Sequence, residues 1–150
     1  MNKKYERYKR YINYILNNIQ KPYFKNMEEN YGLSEKEYKP ILSKLFNQEI
    51  IIESYNNAKS VYNLKGNEIY SEDKFGYWKI NEYDDNGNET YSVDSYGRKV
   101  KTEYNNNGHT IYYENEDGYW HKQLYDIHNN LIYFEDSDGH IDDYRYEEGN

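Results

Sequence analysis

The chain has 150 residues, 27 Asp/Glu against 19 Lys/Arg for a formal net charge of −8, 22 tyrosines and no cysteine. Without thiols, disulfides, thiolate metal centres and cysteine nucleophiles are excluded, and a reducing, cytoplasmic setting is expected. No apolar run approaches membrane length and the start MNKKYERYKR has no apolar signal core, so neither membrane insertion nor export is expected.

Tyr5, Tyr8, Ile12, Ile15 and Ile19 recur at spacings of three and four, which predicts an amphipathic first helix ended by Pro22. A short second helix is predicted from Phe24 to Tyr31, with Gly32 as its C-cap. Ser34 and Glu37 form a capping box, so a third helix starts there and turns Ile41, Leu42, Leu45 and Phe46 inward. Pro40 inside that helix either kinks it or marks its true first turn. Glu49–Tyr55 reads as a strand, Asn56-Asn57 as a turn and Ser60–Leu64 as the returning strand.

Three helices followed by a hairpin is the order of a winged helix-turn-helix. The run Tyr38-Lys39-Pro40-Ile41-Leu42-Ser43-Lys44-Leu45, then Ile50-Ile51 and Tyr62-Asn63-Leu64-Lys65-Gly66, resembles PadR- and MarR-type regulators. That resemblance covers about residues 5–68 and implies duplex DNA as a partner. Its contact residues would be Arg7 and Arg10 on the first helix, Lys36, Lys39 and Lys44 on the third, and Lys59 in the wing. Glu35 and Glu37 depart from the pattern, because carboxylates at a recognition-helix start would face phosphates or bases.

From Ser60 onward the chain repeats every 21 residues. Tyr62, Tyr83, Tyr104, Tyr125 and Tyr146 hold one column; Tyr70, Tyr91, Tyr112 and Tyr133 hold a second. Gly76, Gly97, Gly118 and Gly139 hold a third, and Asp73, Asp94, Asn115 and Asp136 a fourth. A fixed short period is one supersecondary unit copied along the chain. Each copy contains two turns. One is of the type Asp84-Asp85-Asn86-Gly87-Asn88, where Asn-Gly predicts a two-residue hairpin loop with both residues at positive φ. The other is of the type Asp94-Ser95-Tyr96-Gly97, a type I turn closed by a left-handed glycine. Turns this frequent leave short strands in an antiparallel meander. A two-residue loop would set Tyr62 opposite Ile69, Tyr83 opposite Thr90, Tyr104 opposite Ile111 and Tyr125 opposite Ile132.

The expected class is therefore α+β: a winged-helix domain over residues 1–65, then four 21-residue β-hairpin repeats over 60–150. The strand Val61–Leu64 is shared, which predicts a continuous joint. Charge follows the same division. Residues 1–70 carry 12 Lys/Arg and 8 Asp/Glu, and residues 71–150 carry 7 and 19, nets of about +4 and about −12. Phosphate would be repelled by the second part, and a cationic protein surface attracted to it.

The pattern Tyr83-Asp84-Asp85-Asn86-Gly87-Asn88 with Asp94-Ser95-Tyr96-Gly97 resembles the YD repeats of rearrangement-hotspot proteins. It is still more similar to short phage and prophage proteins built from YDxNGN…DSDG units. The resemblance covers residues 60–146 and implies a β-sheet platform rather than an activity. Four copies are too few for the cargo shell of the large YD proteins.

No Gly-rich phosphate loop, GxSxG elbow or repeated histidine set is present, and the acidic turns lack the calcium-loop spacing. The expectation is no catalytic residue, no metal and no cofactor. A partner-binding face is expected from Trp78, Tyr91, Tyr112, Trp120 and Tyr133, flanked by Glu103, Glu114, Asp117 and Asp138. The functional expectation is a non-enzymatic, anti-CRISPR-like antagonist that seats this face on a host defence effector. The alternatives are a winged-helix transcription regulator whose repeats bind protein or dimerise, and a structural or adhesion-type repeat module.

Overall fold

The computed structural model describes residues 2–145. Three helices come first: α1 (Lys3–Asn18), α2 (Tyr23–Glu29) and α3 (Glu35–Phe46). Ten strands follow: β1 (Ile50–Tyr55), β2 (Ala58–Asn63), β3 (Glu68–Glu72), β4 (Trp78–Tyr83), β5 (Glu89–Asp94), β6 (Lys99–Tyr104), β7 (Thr110–Asn115), β8 (Trp120–Tyr125), β9 (Leu131–Asp136) and β10 (Ile141–Asp143). They run in chain order as an antiparallel meander, so the architecture is α+β. The chain divides into two compact units, Met1–Trp78 and Lys79–Asn150.

In the first unit, Asn2 caps α1 by accepting from the Lys4 amide at 3.0 Å. The apolar stripe of α1 is only partly used: Ile15 is buried, whereas Tyr5, Tyr8, Tyr11 and Tyr14 are exposed. α3 starts where the capping box places it, with Glu37 Oε1 accepting from the Ser34 amide at 3.2 Å. Pro40 sits well inside α3 and not in its first turn. The helix therefore runs on past a missing donor to the Lys36 carbonyl, and ends at Asn47 in the left-handed region, φ 53°. Ile15, Phe24, Met27, Leu33, Tyr38, Ile41 and Leu42 meet Ile50, Val61, Ile69 and Tyr70 of β1–β3 in the core. Asn56 and Asn57, φ 50° and 64°, make the two-residue hairpin loop that joins β1 to β2. β2 pairs with both β1 and β3, so the hairpin's returning strand is also the first strand of the repeat frame.

The Asn-Gly turns differ from the sequence expectation. Asn86 is not at positive φ; only Gly87 is, at 82°. Asp84 donates its amide to the Asn88 carbonyl at 2.9 Å, and its carbonyl accepts from Gly87 at 3.1 Å. Its Oδ1 accepts from the amides of Asn86 and Asn88 at 3.0 and 2.9 Å. The same lattice recurs at Asn63, Asp73, Asp94, Asn105, Asn115, Asp126 and Asp136. Both turns of every copy are thus the same five-residue loop, an Asx side chain satisfying two loop amides at once. In the fourth copy Asn129 takes the glycine's place at φ 66°, since Asn tolerates that region.

This loop also moves the register. Tyr83 faces Glu89, Tyr104 faces Thr110, Tyr125 faces Leu131 and Tyr62 faces Glu68. A bulge follows each pair, leaving Ile69, Thr90, Ile111 and Ile132 without an opposite residue. The expected pairs fail by one residue because the loop is five residues long and carries the bulge with it. Beyond the bulge Tyr91 faces Glu82, Tyr112 faces Glu103 and Tyr133 faces Leu124. Tyr146 of the first column lies outside the described residues.

Gly97 and Gly118 hold φ 79° and 82°, and a Cβ at either would meet no atom within 4 Å. A β-branched residue there is strained by the backbone conformation itself, although its Cβ has open space. Gly97→Val and Gly118→Val should each cost about 1–3 kcal/mol, read from the urea midpoint. An unchanged midpoint in both would contradict the turn geometry.

Candidate functional site

Every hydrophobic side chain that is fully buried among the described residues lies in the first unit. Among its described residues, the second unit buries only Asn81, Ser92 and Asp94 to that degree. It is a single-layer sheet, and its aromatic rings are half-exposed on both faces.

Pairing places the expected residues on one face. One row runs Glu82, Tyr91, Lys101, Glu114, Trp120; the next runs Glu103, Tyr112, Lys122, Glu135, Ile141. Tyr133 shares this face with Glu135 and faces Leu124, 47% exposed. Tyr112 Oη donates to Glu114 Oε2 at 3.0 Å, and Tyr133 Oη to Glu135 Oε2 at 2.8 Å. The Tyr112 phenol is pushed above its ordinary pKa by burial and then by Glu114, and Tyr133 chiefly by its bond to Glu135. Both stay hydroxyl donors at neutral pH. Lys122 lies over the Trp120 ring at 5.1 Å, and Lys101 is 3.6 Å from Glu103.

Asp117 and Asp138 are not on this face. They lie in the β7–β8 and β9–β10 turns, donating their amides to Asn115 and Asp136. Trp78 is the last residue of the first unit, with Lys21 Nζ 5.0 Å from its ring. The expected turn residues Gly76, Gly97, Gly118 and Gly139 all hold positive φ.

The opposite face carries a stack of rings. His121 lies 5.0 Å from Tyr113 at 9° and 5.6 Å from Phe134. Burial holds its pKa below the ordinary 6.5, outweighing the upward pull of cross-strand Asp136. Its buried Nδ1 finds no hydrogen-bond partner among the described residues. A histidine whose folded pKa is depressed binds its proton more readily when unfolded. Stability should therefore be full above the unfolded value and fall as pH drops through 6.5 toward the folded value. The melting midpoint should be lower at about pH 5 than at about pH 7.5, and His121→Phe should remove that difference. Equal sensitivity in wild type and variant would overturn this assignment. Asp84 and Asp126, held low by loop amides, act only further down, as pH falls below 3.8.

Among the expected cationic contacts, Arg7, Arg10, Lys36, Lys39 and Lys44 are exposed. Lys44 lines a groove of about 370 Å³ with Tyr5, Tyr8, Ile12, Glu37 and Pro40, between α1 and α3. Lys59 is engaged within the first unit, 3.7 Å from Glu28 and over the Phe24 ring at 5.6 Å.

The sequence reading passed over Lys101, Lys122 and Glu135. Two more 21-residue columns would have shown them: Lys59, Lys101, Lys122, and Glu72, Glu114, Glu135. No helix among the described residues is long and apolar enough to cross a membrane. No protein-family model matches this chain, and no curated protein does.

Proposed function

We propose that this chain is a non-enzymatic protein antagonist, which seats the acidic, aromatic face of its repeat sheet on a cationic protein surface. The observation that carries this reading is that no hydrophobic side chain among the described residues of the second unit is fully buried. Tyr91, Tyr112, Trp120 and Tyr133 lie half-exposed on one face among Glu82, Glu103, Glu114 and Glu135. Rigid aromatics ringed by carboxylates suit anchoring by the rings and steering by the charges. The resemblance to phage-type YD units supports a defence effector guided by nucleic acid as the target, in a bacterial cytoplasm. Such effectors hold nucleic acid in a positively charged channel, which a sheet of this charge can occupy.

The full chain used as bait in host lysate should capture a cationic protein or complex at low salt. Capture should weaken steeply as ionic strength approaches about 0.5 M. Retention undiminished by salt would sink the electrostatic part of the proposal.

A second reading, a winged-helix regulator of PadR or MarR type, rests on the order α1-α2-α3-β1-β2 and on exposed Lys36 and Lys39 of α3. Glu35 and Glu37 beside them, and the engagement of Lys59 with Glu28, weigh against it. A specific operator shifted at nanomolar concentration in physiological salt, with no protein captured, would favour this reading.

A further inference from the structure

In the first unit, four side chains of the repeat frame hold the start of α2. Glu72 is buried, and its Oε1 and Oε2 accept from the Phe24 and Lys25 amides at 3.0 and 2.8 Å. Tyr70 Oη accepts from the Tyr23 amide at 2.9 Å and donates to Glu72 at 2.6 Å. Lys59, opposite Glu72 on β2, covers the Phe24 ring and reaches Glu28. Trp78 receives Lys21, the residue before Pro22, over its ring at 5.0 Å. The three free amides of the first helical turn are thereby satisfied, and a carboxylate sits at the positive end of the helix.

Forty-two residues on, two repeats later, all four residue types recur: Lys101, Tyr112, Glu114 and Trp120. Lys101 faces Glu114 across the strands as Lys59 faces Glu72, and Glu114 faces Trp120. The Tyr112–Glu114 bond is formed at 3.0 Å, as Tyr70–Glu72 is. The other two copies are incomplete. The second has Ile80 and Val93 at the Lys and Glu positions, and the fourth has Ile141 at the Trp position. In the fourth, Arg145 also lies over the Tyr133 ring at 4.6 Å.

We infer that Lys101, Tyr112, Glu114 and Trp120 form a second cradle, which takes the first turn of a helix presented by a partner protein. This rests on the reading of this face as protein-binding and names the chemistry of what it takes. The first cradle supplies the template for the occupant: a basic residue, a proline, then an aromatic at the second helical position, as in Lys21-Pro22-Tyr23-Phe24. One difference tunes it. Opposite Tyr70 stands the buried Val61, but opposite Tyr112 stands the exposed Glu103. Where α2 packs apolar side chains, the partner helix carries a further cation. That fits an occupant with a positive helix start and a basic flank, meeting a unit rich in carboxylates.

The probe is an acetylated peptide with the sequence of residues 20–31 carrying Asn26→Lys and Asn30→Asp, whose side-chain amine and carboxyl are condensed to a helix-holding lactam, and labelled with fluorescein at its C-terminus. Fluorescence anisotropy with the full chain should show saturable binding. Glu114→Gln and Tyr112→Phe should each weaken it at least about tenfold, with thermal melts unchanged, whereas Asp85→Asn, exposed in the β4–β5 turn, should change it by less than about twofold. No saturation up to about 1 mM would overturn the cradle. Binding that Glu114→Gln leaves intact would also overturn it, since the peptide would then be displacing α2 from Glu72. Loss of peptide binding with salt-sensitive capture from lysate retained would remove the cradle and leave the proposed function standing. Peptide binding without any captured protein would do the reverse.

Discussion

Glu72→Ala should destabilise the first unit by about 3–5 kcal/mol, the largest effect expected of any single substitution in this chain. The carboxylate is 5% exposed and accepts from two backbone amides and a phenol. Alanine removes every one of those acceptors and leaves a cavity that water must enter. The Phe24 and Lys25 amides belong to the first turn of α2 and have no helical partner of their own. Tyr70, fully buried between Tyr23, Phe24 and Phe46, loses the acceptor for its hydroxyl. Burial, the larger cause of its raised pKa, persists without Glu72, so the phenol stays neutral and its hydroxyl is left without an acceptor. Glu72→Gln keeps one acceptor oxygen and should cost about half as much. Urea unfolding followed by circular dichroism reads the free energy, and hydrogen exchange at Phe24 and Lys25 locates it. An alanine variant within about 1 kcal/mol of wild type would mean that α2 is held by packing alone.

Tyr112→Ala combined with Trp120→Ala should weaken partner capture by at least about a hundredfold, roughly 3 kcal/mol. Trp and Tyr dominate interface energetics because their rings bury large area with few rotatable bonds. These two lie in adjacent rows of one face, beside Glu114, which bonds Tyr112 and faces Trp120. Neither supports a core: both are half-exposed, and no hydrophobic side chain among the described residues of the second unit is fully buried, whereas Tyr70 is buried under α2. The far-UV spectrum and melting midpoint should therefore stay close to wild type. Capture that survives the double substitution would move the binding surface elsewhere. The stacked face of Tyr113, His121 and Phe134 would then be the first place to look.

Several elements were legible because the residues that define them act locally. Ser34 and Glu37 are three residues apart, and they start α3 wherever the rest of the chain goes. Asp94 and Gly97 build their loop from five consecutive residues. The columns of Tyr, Asp and Gly announce copies, and copies joined by tight turns make a meander. The register was not legible, because Asn86-Gly87 is compatible with two loop lengths. Only the side chain of Asp84, spanning to the Asn88 amide, selects the longer loop and its bulge. For the candidate site, alternation along the strands already placed Tyr91, Tyr112, Tyr133 and Trp120 together. Asp117 and Asp138 lie in turns, where alternation along a strand assigns no face.

What the sequence determined by itself is the repeated unit: strand, Asx loop, strand, Asx loop, each secured by contacts within a few residues. Tertiary structure alone decided how each copy is used. Tyr70-Ser71-Glu72 and Tyr112-Tyr113-Glu114 are near-copies with the same internal hydrogen bond. One is a buried helix cap and the other a half-exposed surface pair. The difference lies in α2, 47 or 48 residues away from its acceptors in sequence. Burial of a carboxylate is tolerated only where donors converge on it. No local pattern can report whether a distant helix will bring those donors.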